Sequence, residues 1–234
     1  MSNQLKVKFL IFRFSSNIKI EFFLENKQSI FNIMMTYIVY HPNPEYSQGM
    51  TDMLTPIVYV FENESLSYFA YCSLMTRYMN SIFDHDQIEM NHRFNLFNFL
   101  FQSIDYQLWK TIDLLSNSES YLFVYRWLLL DCKREFYSFD QILRILELIW
   151  IYSLNFDFKS KICHRSLFTI CLCISILEED REKILSFSNE EDLHRYFFSS
   201  KSSSSRSKNL SRQSIERILQ RAKFYYSNYF ILNK

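Results

Sequence analysis

The glutamine in the stretch YSQGM is the first candidate for chemistry, because the chain places its single glycine directly after it. Glycine at position 49 supplies either a backbone with positive φ or a bare Cα that another molecule can approach closely. Both explanations concern the neighbouring side chain of Gln48. We therefore take Gln48 and Gly49 as the candidate site, with a plain loop-to-helix turn as the structural alternative.

Cysteine and histidine residues form a second group that could do chemistry. Cys163, His164, Cys171 and Cys173 lie close together in sequence. Residues two apart on a helix point to different faces, so this set cannot converge on one tetrahedral metal ion. We predict that these cysteines are thiols buried in the core and that the set forms no metal site. A helical enzyme with a nucleophile such as Cys132 or His164 stays open, because such partners can meet only in space.

Nucleotide binding through a phosphate loop is excluded by the glycine content. A P-loop or a dinucleotide fingerprint needs several glycines to bring backbone N–H groups against phosphate, and this chain has one. The acidic run EEDREK (178–183) alternates with basic residues just beyond an apolar helical stretch. That pattern predicts a solvated helix end and not a pair of catalytic carboxylates.

The composition favours a folded domain in a reducing compartment. The 234 residues are 48% apolar and carry a net charge of +1, which favours neither nucleic acid nor an anionic membrane as a partner. Five cysteines outside any spaced framework indicate reduced thiols in a cytoplasmic protein. The longest uncharged apolar run, TICLCISIL (169–177), is far shorter than the about 20 residues of a membrane helix, so no transmembrane segment is expected.

Hydrophobic periodicity is helical along nearly the whole chain, and the predicted fold class is all-α. One helix is predicted to end near His41, where Pro42 and Pro44 stop it, and another to begin at Gln48. Only VKFLIFRF (7–14) has the β-branched and aromatic content of a strand. Further helices are predicted at 65–81, 88–103, 105–115, 120–132, 138–153, 162–177, 189–198 and 212–229.

Two stretches, in this order and with helices between them, resemble the TBC domain of Rab GTPase-activating proteins. EYSQGMTDMLTPIVYV (45–60) is similar to the Tyr-x-Gln-Gly-Met motif of that family, and VYRWLLLDCKREF (124–136) is similar to its Arg-Trp-Leu-Leu and Lys-Arg-Glu-Phe signature. The resemblance is greatest to the subgroup of TBC family members fifteen and seventeen. It implies one TBC domain at 22–229, after an atypical segment at 1–21. Polar composition predicts a mobile serine-rich insertion at 199–211.

The resemblance implies a function in vesicle trafficking, in which the chain speeds GTP hydrolysis by a GTP-loaded Rab. TBC proteins supply a glutamine that orients the attacking water and an arginine that stabilises charge on the phosphoryl group. Gln48 matches that glutamine, and Gly49 is expected to let its backbone come close to the GTPase. Tyr46 and Asp52 are expected to brace the loop or the helix start.

The second stretch, VYRWLLLDCKREF, is expected to contribute to the interaction with the same GTPase. Arg126, Trp127 and Arg134 are predicted to hold the groove in shape or to contact the GTPase. GTP and Mg²⁺ belong to the Rab, so the resemblance implies no cofactor for this chain. Any recruitment to the surface of an endomembrane is expected to run through the Rab.

The arginine of the family is missing from its expected place. Its Ile-x-x-Asp-x-x-Arg motif should end near Ser15, but residues 1–51 contain no aspartate and a single arginine, Arg13, with the wrong neighbours. An arginine finger contributes a factor of about 10³ to 10⁵ to the rate. Three explanations stay open, and we rank an N-terminally incomplete domain first. The others are that Arg13 serves from an unusual position, or that the protein is a Rab-binding scaffold without activity.

Overall fold

The structure is a computed structural model that describes residues 20–115, 122–154, 166–198 and 210–232. Every regular element within these ranges is helical, and none of them is a β-strand, which confirms the all-α fold class. The predicted strand at 7–14 and all but the end of the serine-rich segment lie outside the described residues. The chain divides into two compact units, one up to Glu89 and one from Met90 onward.

From residue 20 onward, where the structure describes it, the first unit has three α-helices followed by two short irregular turns. These elements are α1 (Ile20–Tyr40), α2 (Met50–Phe61), α3 (Glu64–Leu74), a π-helical turn (Met75–Met79) and a 3₁₀ turn (Asn80–Ile82). The centre of the unit is α2, whose first nine residues, up to Val58, are all buried. A helix buried on every side must be enclosed by other elements, and both α1 and α3 pack on it.

Helix α1 buries the apolar face that its spacing predicts. Ile30, Ile33 and Tyr37 on this face are each at most 2% exposed. The amide of His41 donates to the carbonyl of Tyr37 at 2.8 Å, and the prolines that follow cannot continue the helix. The predicted end of the helix near His41 is therefore confirmed.

The second unit is arranged around one buried helix. Within the described ranges, its elements are α4 (Ile88–Ile104, which begins just before the unit boundary), α5 (Tyr106–Leu115), α6 (Leu122–Leu129), a 3₁₀ turn (Lys133–Glu135), α7 (Phe139–Leu154), α8 (Leu167–Glu179), α9 (Arg181–Leu185), α10 (Glu190–Phe198) and α11 (Arg212–Leu232). All residues of α8 up to Leu177 are buried. Helices α6, α7 and α11 pack against it.

Glu182 of the EEDREK run is exposed, as the sequence predicts, but Glu178 and Glu179 of the same run bind side chains of α11. The Tyr225 hydroxyl donates to both carboxylate oxygens of Glu178 at 2.8 Å, and Arg217 and Arg221 form ion pairs with Glu179. Burial raises the pKa of Glu178. Burial acts in the same direction on Glu179, but the hydrogen bond from Arg217 and the charges of both arginines bring its pKa below the usual value. The prediction was wrong for Glu178 and Glu179, because these two carboxylates dock α11 onto α8.

Candidate functional site

Gln48 lies on the loop 41–49, which joins α1 to α2. Its side chain is exposed, and it forms no hydrogen bond with the residues that the structure describes. The loop itself is held, because Pro44 is buried and the amide of Met50 donates to the carbonyl of Ser47 at 3.2 Å. An exposed amide on such a loop offers one donor group and one acceptor to another molecule.

Gly49 has a backbone conformation that glycine adopts readily and other residues do not. Its φ is 117° and its ψ is −27°, in a region where a Cβ would clash with the backbone. Gly49 is buried, and its carbonyl accepts a hydrogen bond from the amide of Met53 at 3.3 Å. Helix α2 therefore begins at Met50, two residues after the predicted start at Gln48. Positive φ is thus one reason for the single glycine of the chain.

Replacing Gly49 by alanine is expected to lower the free energy of unfolding by about 1–3 kcal/mol, because the new Cβ is strained at this φ. Thermal or urea unfolding followed by circular dichroism measures the change. The neighbouring Ser47→Ala variant is a matched control, for which a change of at most about 0.5 kcal/mol is expected. Equal stability of Gly49→Ala and the wild-type chain would contradict strain at this position.

The first turn of α2 is held by polar side chains close to it in sequence. The hydroxyl oxygens of Tyr46 and Thr51 are 3.0 Å apart. Burial raises the pKa of Tyr46 and the charge of Asp52 adds to this effect, while the hydrogen bond with Thr51 opposes it. Asp52 is 3% exposed, and a carboxylate in the first turn complements the helix dipole. The contact between Tyr46 and Thr51 and the buried position of Asp52 in the first turn fit the bracing role expected for both residues.

Sequence reasoning misses Tyr71, which reaches the same turn from α3. Its side chain is fully buried and its hydroxyl donates to the carbonyl of Met50 at 3.2 Å. The ring of Tyr71 meets the ring of Tyr37 edge-on at 5.0 Å, and Tyr37 stacks on His41 at 4.6 Å. Burial raises the pKa of Tyr71 well above its usual value, so the hydroxyl stays protonated. Nothing in the spacing separates Tyr71 from the other tyrosines of a chain that contains 16.

The second motif joins α6 to the 3₁₀ turn through one ion pair. Nη2 of Arg126 donates to Oε1 of Glu135 at 2.6 Å, with Glu135 only 4% exposed. Such a charge-assisted bond fixes both position and orientation. Trp127 is 1% exposed and lies edge-on to the rings of Phe123 and Phe197 at 5.4 and 5.9 Å. Arg126 and Trp127 were predicted either to hold the groove in shape or to contact the GTPase. These contacts fit the first of the two roles.

Two residues with positive φ turn the chain from α6 into the 3₁₀ turn. They are Asp131, with φ of 48°, and Cys132, with φ of 57°. Asp131 is fully buried and accepts hydrogen bonds from Thr169 of α8 at 3.1 Å and from Trp150 of α7 at 3.3 Å. This anchoring, which sequence reasoning missed, fixes the turn that carries the half-buried Arg134.

The burial of Cys132 does not support the alternative in which this residue is the nucleophile of a helical enzyme. Cys132, Cys171 and Cys173 are buried free thiols, as the sequence predicts for a core. Burial raises the pKa of Cys132 well above its usual value, and Cys173, whose Sγ lies 3.5 Å away, adds to the effect. A thiol with a raised pKa is a poor nucleophile. Cys163 and His164 lie outside the described residues.

The predicted site residues fall into two groups. The first unit holds Tyr46, Gln48, Gly49 and Asp52 at the start of α2, and the second unit holds the Arg-Trp-Leu-Leu and Lys-Arg-Glu-Phe residues. Arg13 lies outside the described residues, so its role stays a prediction. Across the described ranges, no group of three or more His, Cys, Asp or Glu side chains could hold a metal ion.

The sequence model of the Rab-GTPase-TBC domain family matches residues 12–185 of the chain. Human TBC1 domain family member 25 is 33% identical over 123 residues, which are 53% of this chain and 17% of that protein. Human TBC1 domain family member 17 is 35% identical over 119 residues, 51% of this chain and 18% of that protein. GTPase-activating protein GYP7 of Debaryomyces hansenii is 35% identical over 118 residues, 50% of this chain and 15% of that protein. The match thus spans less than a fifth of the length of each of these relatives.

Among solved structures, the crystal structure of the Ypt/Rab-GAP domain of Gyp1p is similar to this chain. The TM-score is 0.76 at 18% sequence identity, over 96% of this chain and 73% of that chain. Identity at this level shows a shared fold. In the ranges described for this chain, no helix combines the length and the apolar character that crossing a membrane requires.

Proposed function

The chain belongs to the Rab-GTPase-TBC domain family, and on this basis we propose that it is a GTPase-activating protein for a Rab-type small GTPase in vesicle trafficking. The observation that most supports this proposal is the exposed amide of Gln48 at the held start of α2. The partner is the GTP-loaded form of the GTPase. We place the protein in the cytoplasm, and the Rab recruits it to the surface of endomembranes.

In the proposed mechanism, Gln48 orients the water that attacks the γ-phosphate of GTP. Small GTPases hydrolyse GTP slowly because this water is poorly oriented and the charge on the phosphoryl group is under-stabilised. A neutral amide accepts a hydrogen bond from the water and donates one to a nearby oxygen, without competing as a base. GTP and Mg²⁺ are bound by the GTPase, so the chain needs no cofactor of its own.

Arg13, the single arginine before Gln48, is the candidate in this sequence for the arginine that accompanies the glutamine. A guanidinium is always charged at physiological pH and presents a planar set of donors to phosphate oxygens. The Ile-x-x-Asp-x-x-Arg pattern is absent from residues 1–51, and this observation favours a second candidate function. In that alternative, the protein is a Rab-binding scaffold that does not activate hydrolysis.

Single-turnover GTP hydrolysis across a panel of purified Rab proteins tests the proposal. We expect the chain to accelerate hydrolysis by at least one Rab and the Arg13→Ala variant to lose most of that acceleration. The matched control is Arg77→Ala, which removes an exposed arginine of the first unit and is expected to leave the rate unchanged.

The outcomes separate the two candidate functions. Binding to a GTP-loaded Rab without any acceleration contradicts activation and supports the scaffold. Acceleration that persists in Arg13→Ala keeps the activator and rules out Arg13 as its arginine.

A further inference from the structure

Tyr71 connects the buried core of the first unit to the turn that carries Gln48. Its hydroxyl donates to the carbonyl of Met50 at 3.2 Å, and Met50 is the first residue of α2, two positions after Gln48. Tyr71 belongs to α3 and is fully buried. The hydrogen bond therefore ties the start of α2 to a separate helix.

The ring of Tyr71 is itself fixed by an aromatic row that reaches the other end of the loop. Tyr71 meets Tyr37 edge-on at 5.0 Å, and Tyr37 stacks on His41 at 4.6 Å. His41 is the first residue after α1, and Met50 follows directly after the loop. One row of three side chains thus contacts both ends of the segment on which Gln48 lies.

We propose that Tyr71 is a positioning residue that holds the backbone at Met50 and thereby aims the amide of Gln48 at its target. The inference rests on the proposed function, in which Gln48 orients the hydrolytic water. Tyr71 is buried and touches no partner itself, so its effect runs through the backbone of the loop. The rate of a catalysed step falls when a group that orients the reactant is displaced by a fraction of an ångström.

The Tyr71→Phe variant removes the hydroxyl and keeps the ring, its packing and most of its volume. We expect kcat for Rab-stimulated GTP hydrolysis to fall about threefold to tenfold, which corresponds to the loss of one buried hydrogen bond. The KM for the GTP-loaded Rab is expected to stay unchanged, because the surface of the protein is intact. In a Gln48→Ala background, the same change is expected to have no further effect on kcat.

Tyr225→Phe is the matched control. It removes the hydroxyl that donates to Glu178 at 2.8 Å in the second unit, so it deletes one tyrosine hydrogen bond there as Tyr71→Phe does in the first unit. Both variants are expected to lower the melting temperature, but only Tyr71→Phe is expected to lower kcat. Rates measured well below the melting temperatures remove any contribution from unfolded protein.

The outcomes distinguish failure of this inference from failure of the proposed function. If Gln48→Ala abolishes acceleration and Tyr71→Phe leaves kcat unchanged, Tyr71 is structural only and the inference is overturned. If Tyr71→Phe lowers kcat equally with and without Gln48, it acts on something other than the glutamine and the inference is again overturned. If Gln48→Ala accelerates hydrolysis as well as the wild-type chain, the proposed function fails and the role of Tyr71 fails with it.

Discussion

Gln48→Ala is expected to reduce the acceleration of GTP hydrolysis by about 10²- to 10³-fold, the size of effect seen when one positioned hydrogen-bonding group is removed from a catalytic site. The side chain is exposed and forms no hydrogen bond in the described part of the chain. Its removal should therefore leave the melting temperature unchanged. Single-turnover hydrolysis and thermal unfolding, measured on the same preparation, test both halves of this expectation.

Two further variants sharpen the test of Gln48. Gln48→Asn keeps the amide but withdraws it by one methylene, and we expect most of the acceleration to be lost because orientation matters as much as chemistry. Gln28→Ala removes another exposed glutamine of the first unit, whose side chain donates to Asn32 on α1 at 2.8 Å. It should leave the rate unchanged. Equal rates for Gln48→Ala and Gln28→Ala would remove the glutamine from the mechanism.

Local chemistry explains why much of the fold and the position of Gln48 could be predicted. An isolated glycine indicates a backbone conformation that other residues adopt only with strain. Gly49 has such a conformation, with a φ of 117°. The apolar period of 3.6 residues predicted a helix at 88–103, and the structure has α4 at Ile88–Ile104. Both signals lie within a few residues of the feature that they predict.

Features that depend on distant parts of the chain could not be predicted in this way. The bond from Tyr71 to Met50 joins residues 21 apart, and the bond from Thr169 to Asp131 joins residues 38 apart. A single sequence gives no sign of which hydroxyl meets which acceptor. Helix α9 was missed for a different reason, since its five residues are too few to show a period.

Trp127→Ala is expected to lower the free energy of unfolding by about 3–5 kcal/mol, because it leaves a cavity in a packed aromatic cluster. Trp127 is 1% exposed, and the rings of Phe123 and Phe197 that enclose it are stacked on each other at 3.8 Å. The change is a large share of the about 5–15 kcal/mol that stabilises a typical domain. Urea unfolding followed by circular dichroism measures it.

Trp109→Ala is the matched control for Trp127 and separates the two roles predicted for that tryptophan. Trp109 is only half-buried on α5, and its indole donates to the exposed Asn98, so a smaller loss of stability is expected. If Trp127 holds the shape of its unit, Trp127→Ala lowers the free energy of unfolding. Rab binding then decreases only in proportion to the fraction of protein that is unfolded. If Trp127 instead contacts the GTPase, binding is lost at full stability. A burial of 99% favours the first outcome, because a side chain without accessible surface can reach a partner only after its cluster opens.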